Sequence, residues 1–224
     1  MSDAENLSRK ELLKQNRLEK ILYAFADHAY RKKSIYIFAA ISAVVIILGI
    51  WGGWKYVQIE RVNQANLFHV ARSKISSPSL SKEEKLNQQI AALKEFASSV
   101  SSSTLSVIAL MESGEALARQ SQIEQSILAF KEAVSHPEAT NFLRNSARLS
   151  LAALFEQQKE WVEAEKMLES INISSWNDIR LRALARIAVE KGENEKARKL
   201  LKQLIELVPT SVFRQESETL LLTL

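Results

Sequence analysis

LRALARIAVEKGENEKARKLLKQLIELVP, residues 181–209, decides how the rest of the chain is read. Leu181, Leu184, Ala185 and Ala188 recur at helical spacing, Gly192 interrupts, and Ala197, Leu201 and Leu204 resume the spacing before Pro209. This pattern predicts two helices, each apolar on one face, folded back on one another. Small Ala185 and Ala197 let the antiparallel backbones approach, Gly192 makes the turn, and Pro209 ends the second helix.

The same pattern recurs upstream. Leu151, Ala152 and Phe155 precede Ala164, Leu168 and Ile171, and the step from Ala164 to Ala197 sets the period. Leu110, Gly114 and Leu117 precede Ser126, Phe130, Ala133 and Pro137. The step from Ser126 to Ala164 is longer, and the extra residues are expected in the connection between repeats. A half-unit is expected at Ala92 and Phe96, with a stalk from Val57 to Lys74 as its first helix. Outside residues 35–54 the chain has two glycines, Gly114 and Gly192, and both fall at template positions. The period and spacing resemble the tetratricopeptide repeat. Ser211–Leu224 reads as a cap helix over the last repeat, its leucines at 220, 221, 222 and 224 suggesting burial.

Ahead of the repeats, Ile35 to Trp54 (IYIFAAISAVVIILGIWGGW) is a run without a charge. At about 1.5 Å per residue it would span about 30 Å, the hydrocarbon thickness of a bilayer. Tyr36 at one end and Trp51, Trp54 and Tyr56 at the other would sit at the two interfaces. The run starts only at Ile35 and lacks a small-x-small site behind it, which favours a retained anchor over a cleaved leader. Arg31, Lys32 and Lys33 adjoin its first end and Lys55 alone its second, placing the N-terminus in the cytoplasm. Counted over about 20 residues, the positive charges are five before and four after the span, so the inverted topology is the alternative. Ala39, Ser42, Gly49 and Gly53 form a small-residue stripe for packing against a partner helix, although such residues are common in membrane helices. In the lead, Leu18, Ile21, Leu22, Phe25 and Ala29 give one apolar face, suited to the membrane surface or to a partner.

Charge excludes one class. The net +4 divides into +3 over residues 1–33, +1 over 34–61, and twenty Lys or Arg against twenty Asp or Glu over 62–224. Basicity therefore sits beside the apolar run and bears on lipid headgroups, and no nucleic-acid partner is expected. Within the repeats, residues 156–178 carry −4 and residues 180–202 carry +5, so adjacent units could attract, or Arg180, Arg182, Arg186 and Arg198 could form a basic docking face. Cysteine is absent, and His28, His69 and His136 are far apart in sequence. No metal, nucleophile or phosphate motif is present, so no cofactor, no small-molecule substrate and no enzymatic activity are expected.

A solenoid of helix pairs presents the first helices on a concave surface where a partner segment can lie. Taking Gly114, Ala152 and Ala185 as equivalent, the inward residues are Met111, Glu115 and Arg119, then Leu149, Ala153 and Glu156, then Arg182, Arg186 and Val189.

The basic lead, the anchor RKKSIYIFAAISAVVIILGIWGGWKYVQ, the helical stalk and the degenerate repeats together resemble the YfgM-like ancillary subunits of the bacterial Sec translocon. The resemblance implies an all-α protein with a single N-terminal transmembrane helix followed by a tetratricopeptide-like α-solenoid. It divides the chain into a cytoplasmic lead (1–33), a signal anchor (34–56) and a periplasmic helical domain (57–224). It further implies an inner-membrane location beside SecYEG and a role for periplasmic chaperones, including a membrane-anchored prolyl isomerase, with unfolded clients leaving the channel. A general cell-envelope scaffold, or a cytosol-facing import receptor of inverted topology, are the other classes.

Overall fold

In the computed structural model, residues 19–23, 25, 28, 30–73 and 81–224 are described, and among them only helices and connections occur. Two compact units divide the chain, Met1–Arg61 and Val62–Leu224.

In the first unit, residues of the lead are helical and Ile21, Leu22 and Phe25 are exposed; Arg17, Leu18, Asp27 and Ala29 lie outside the described residues. Helix α1, Lys33–Ser73, begins here and contains the whole uncharged run. Among the described residues it alone is long and apolar enough to cross a membrane. Every side chain from Ile35 to Trp54 is exposed.

The second unit begins within α1 and continues through α2 (Lys82–Ser99), α3 (Thr104–Arg119), α4 (Ile123–Ser135), α5 (Asn141–Gln157), α6 (Trp161–Glu169), α7 (Asn177–Glu190), α8 (Asn194–Leu207) and α9 (Arg214–Thr223). From α2 onward successive helices pack as neighbours, so the sequence order is the spatial order. The end of α1 pairs with α2: Phe68 meets Phe96 at 5.4 Å between ring centroids, Ala71 is buried, and Gln89 Nε2 donates to the Arg72 carbonyl at 3.0 Å. Lys74, where the stalk was expected to end, lies outside the described residues. The pairs α3–α4, α5–α6 and α7–α8 follow, and Leu110, Leu117, Phe130, Leu151, Leu168, Leu201 and Leu204 fill the core between them.

Helix starts follow two chemistries. At α2, α3 and α5 a hydroxyl caps the orphan amides: Ser81 accepts from Glu84 N while a Glu84 carboxylate oxygen accepts from Ser81 N, Ser103 accepts from Leu105 N, and Thr140 accepts from Leu143 N, whereas α7 and α9 start without a side-chain cap. Within each pair the turn is three residues, 120–122, 158–160 and 191–193, and no side chain caps α4, α6 or α8. The backbone does it. Ser121, Lys159 and Gly192 take left-handed φ of 60°, 60° and 74°. The next amides, of Gln122, Glu160 and Glu193, donate back to Leu117, Phe155 and Ala188, the bond that closes a Schellman end.

The longer spacing before Ala164 is not taken up in the connection. Residues 136–140 form a shorter link than residues 170–176, while α4 and α5 have 13 and 17 residues against 9 and 14 in α6 and α7. Added residues in a helix satisfy their own N–H and C=O groups, whereas added loop residues would leave them to water. The cap also departs from expectation. In α9 Ser217 alone is buried, Leu220 and Leu221 are half-buried like Leu224 after it, and Leu222 is 89% exposed, with no other helix over that side among the described residues.

Candidate protein-docking face

The first helix of each pair carries the residues expected to face a partner, and the structure sorts them into two groups and a remainder. Glu115, Arg119 and Ala153 line one cavity of about 280 Å³, with Ala118, Phe130, Ser150, Leu154 and Gln157. Helices α3 and α5 make its sides and Phe130 of α4 its floor. Its charges are local, since Arg119 pairs with Glu115 one turn away at 3.7 Å. The small side chains of Ala118, Ser150 and Ala153 leave the space.

Arg182, Arg186 and Val189 line a second cavity of about 200 Å³, together with Glu190, Leu201, Glu216, Ser217 and Leu220. Here the charges cross between helices. Arg186 forks onto Glu156, Nε to Oε2 at 3.0 Å and Nη2 to Oε1 at 3.1 Å, tying α7 to α5. Arg182 forks onto Glu216 at 2.9 and 2.8 Å, tying α7 to α9, and stacks over the Phe213 ring at 4.6 Å. Two parallel N–H···O bonds fix orientation as well as distance. Burial holds the Glu156 carboxyl above the usual carboxylate range despite Arg186, so the charge on this carboxylate is costly and depends on its partner. The Arg182 bond holds Glu216 below that range.

Met111 and Leu149 belong to neither cavity; both are half-buried against the core. Glu216, Ser217 and Leu220, absent from the expected set, join the second cavity because α9 lies across it. The signal for Glu216 was its place one full repeat further on from Arg182.

The arginine-rich segment is not an open basic face. Besides Arg182 and Arg186, Arg198 pairs with Glu195 at 3.3 Å and Arg180 Nη2 donates to Asn177 at 3.0 Å. Opposite charges on adjacent repeats attract instead. Glu165 accepts from Lys196 at 2.7 Å and Lys191 at 3.2 Å, and Glu193 closes the group onto Lys191 at 2.8 Å. Where the repeats lack charge pairs they use polar links of similar span: Gln120 to Asn87 at 2.9 Å and Gln158 to Glu124 at 3.3 Å.

Between α3 and α4 the approach is close. A Cβ built on Gly114 would meet the Phe130 ring at 2.9 Å, and Ser126 Oγ donates to the Gly114 carbonyl at 2.7 Å. Ala147, Ala152, Ala164, Ala185 and Ala197 likewise admit close packing, each 1% exposed or less. Small residues at fixed places in three successive antiparallel pairs, with a left-handed turn five residues before Ser126, Ala164 and Ala197, define a repeat. Residues 30–211 match the tetratricopeptide repeat-like domain. The chain belongs to that family. No curated protein matches it. A tetratricopeptide repeat-like domain is a protein-interaction scaffold, typically without catalysis, and protein partners follow from the fold. Among the described residues no three His, Asp or Glu side chains group as metal ligands.

On α1, Ala39, Ser42, Gly49 and Gly53 are exposed, and a Cβ on either glycine would have nothing within 4 Å. The stripe expected to pack on a partner helix has none among the described residues.

Proposed function

We propose that this chain is a membrane-anchored docking module of the bacterial inner membrane, accessory to the Sec translocon. Residues 1–33 are cytoplasmic, residues 34–56 cross the bilayer, and residues 57–224 stand in the periplasm. One observation carries the reading: the uncharged run 35–54, exposed throughout, lies on the same helix that supplies the first partner of the repeat domain. So much contiguous apolar surface is unfavourable in water and stable in lipid. The resemblance of residues 31–58 and 181–209 to the YfgM-like subunits supplies the translocon, and through it the periplasmic chaperones and the membrane-anchored prolyl isomerase as neighbours.

The first-helix face suits this work. Between α3 and α5 it offers an apolar floor, small side chains and one internally paired charge, which accept an extended polypeptide without demanding a sequence. Photocrosslinking groups at Glu115, Arg119 and Ala153 in growing cells test it, with one at Leu128, exposed on α4, as the reference. Adducts with translocon subunits or emerging chains from the first three sites and not from Leu128 support the reading; adducts from Leu128 alone, or to cytosolic proteins, overturn it.

A further inference from the structure

The lead and the start of α1 belong to one compact unit, Met1–Arg61. The described residues of the lead, 19–23, 25, 28, 30 and 31, are helical, and Lys32 N donates to the His28 carbonyl at 3.1 Å as the chain turns. Ile35 N then donates only three residues back, to the Lys32 carbonyl at 2.9 Å, and α1 runs on from there. Across this turn His28 meets the Tyr36 ring edge-on, with 6.4 Å between centroids. Eight residues along a straight helix are about 12 Å apart, so the contact puts His28 on the inner side of the turn. Ile21 lies seven positions before His28, on the same side of the helix. Leu22 and Phe25 widen that side, and Ile21, Leu22 and Phe25 are 61%, 65% and 67% exposed. Lys20 and Arg31 fall on the other side by the same spacing. Arg31, Lys32 and Lys33 gather at the turn, where Lys33 Nζ lies over the Tyr30 ring at 5.5 Å. The uncharged run begins at Ile35, immediately beyond them.

We infer that the lead helix lies in the headgroup layer of the membrane that α1 enters, with Ile21, Leu22 and Phe25 toward the acyl chains and the basic residues on anionic lipid. The inference rests on the anchor reading and not on the translocon. Three observations select lipid as the occupant. The apolar side is the side that turns toward α1, which is where the bilayer begins if α1 crosses it. The charge is complementary: Lys20, Arg31, Lys32 and Lys33 stand against Glu19 among the described residues, and residues 1–33 carry +3 in all. A basic segment beside a span is drawn to anionic headgroups, and an apolar side opposite the charges seats such a helix in the interface plane. Finally, the lead is tethered to the span by a single turn, so the lipid surface is always within reach and a soluble partner would have to displace it.

The test uses the full-length chain, which has no cysteine of its own, in vesicles of phosphatidylcholine mixed with phosphatidylglycerol and in vesicles of phosphatidylcholine alone. Leu22→Cys, Phe25→Cys, Lys20→Cys and, in the middle of the span, Val45→Cys each carry one nitroxide, with a water-soluble nickel chelate on both sides of the membrane. In the mixed vesicles collision with nickel should be at least about threefold lower at positions 22 and 25 than at 20, and the contrast should shrink without phosphatidylglycerol. Equal nickel access at 20, 22 and 25 while position 45 is protected overturns the inference and leaves the anchor standing. Nickel access at position 45 as well removes the anchor reading and the inference with it. A contrast of the same size in phosphatidylcholine alone overturns the role of anionic lipid. Spin–spin broadening at position 25 that disappears when unlabelled chain is mixed in also overturns the inference, because a second copy would then cover the apolar side.

Discussion

Gly114 and Phe130 are in direct contact, so that a single methyl group on the glycine would come within 2.9 Å of the ring. Phe130 is 2% exposed, and the glycine's carbonyl is already held by Ser126. Alanine is the better helix former by about 1 kcal/mol. Overpacking at a closed contact costs about 1–3 kcal/mol and wins. Gly114→Ala is therefore destabilising in urea unfolding, and adding Phe130→Leu returns part of the loss, a coupling that a double-mutant cycle reads directly.

Ser121 and Lys159 hold the left-handed conformation that glycine holds in the last repeat. An L-residue gives up about 1–2 kcal/mol there, while glycine's extra unfolded-state entropy costs about 0.5–1 kcal/mol. Ser121→Gly and Lys159→Gly should each stabilise the domain by about 0.5–1 kcal/mol, and Gly192→Ala should destabilise it by a similar amount, measured by thermal unfolding. Both gains in one chain should add, because the turns lie in separate repeats.

Acid should loosen the joint between the last two repeats. Burial acts to raise the proton affinity of Glu165, but the bonds from Lys196 and Lys191 outweigh it and hold the carboxyl below the usual range. Glu216 is held low by Arg182. A carboxyl depressed in the folded state contributes stability above its unfolded value, about 4.3, and loses it as pH falls through the folded value. The melting temperature should be level from pH 7 to about 5.5 and drop below about 4.5. Glu165→Gln should lower it at pH 7 and make the acid limb shallower.

Glu156 has the opposite sign. Burial raises its carboxyl, so its ionised form is tolerated only with Arg186 beside it. A raised carboxyl contributes stability below its unfolded value and loses it as pH rises through the folded one. Arg186→Ala should cost about 1 kcal/mol at pH 7, the arginine being half exposed. That deficit should shrink on acidification toward pH 5, and Glu156→Gln in the same chain should recover most of it.

Spacing made the helix pairs legible: Ala164 to Ala197 sets a period, and Gly192 marks a turn by residue type alone. The turns at Ser121 and Lys159 have no such mark. They were readable only through register, five residues before Ser126 and Ala164, because the Schellman bonds come from the backbone. The leucines of residues 220–224 looked like core by composition, yet composition does not say whether another helix arrives to cover them. The basic segment 180–202 looked like a docking face until Glu156, Glu195 and Glu216 met its arginines. Of the expected docking residues, helical phase placed Glu115, Arg119 and Ala153 at one cavity and Arg182, Arg186 and Val189 at another. Phase could not foresee that cross-helix pairing would leave the first open and bar the second.

The side of the membrane on which the repeat domain stands tests the account most directly. The chain has no cysteine, so Ser102→Cys, exposed between α2 and α3, gives a single site for a membrane-impermeant thiol reagent on intact spheroplasts. The account predicts full labelling from outside and recovery of the chain in the membrane fraction until detergent is added. Labelling only after the membrane is broken, or a chain that stays in solution without detergent, contradicts it.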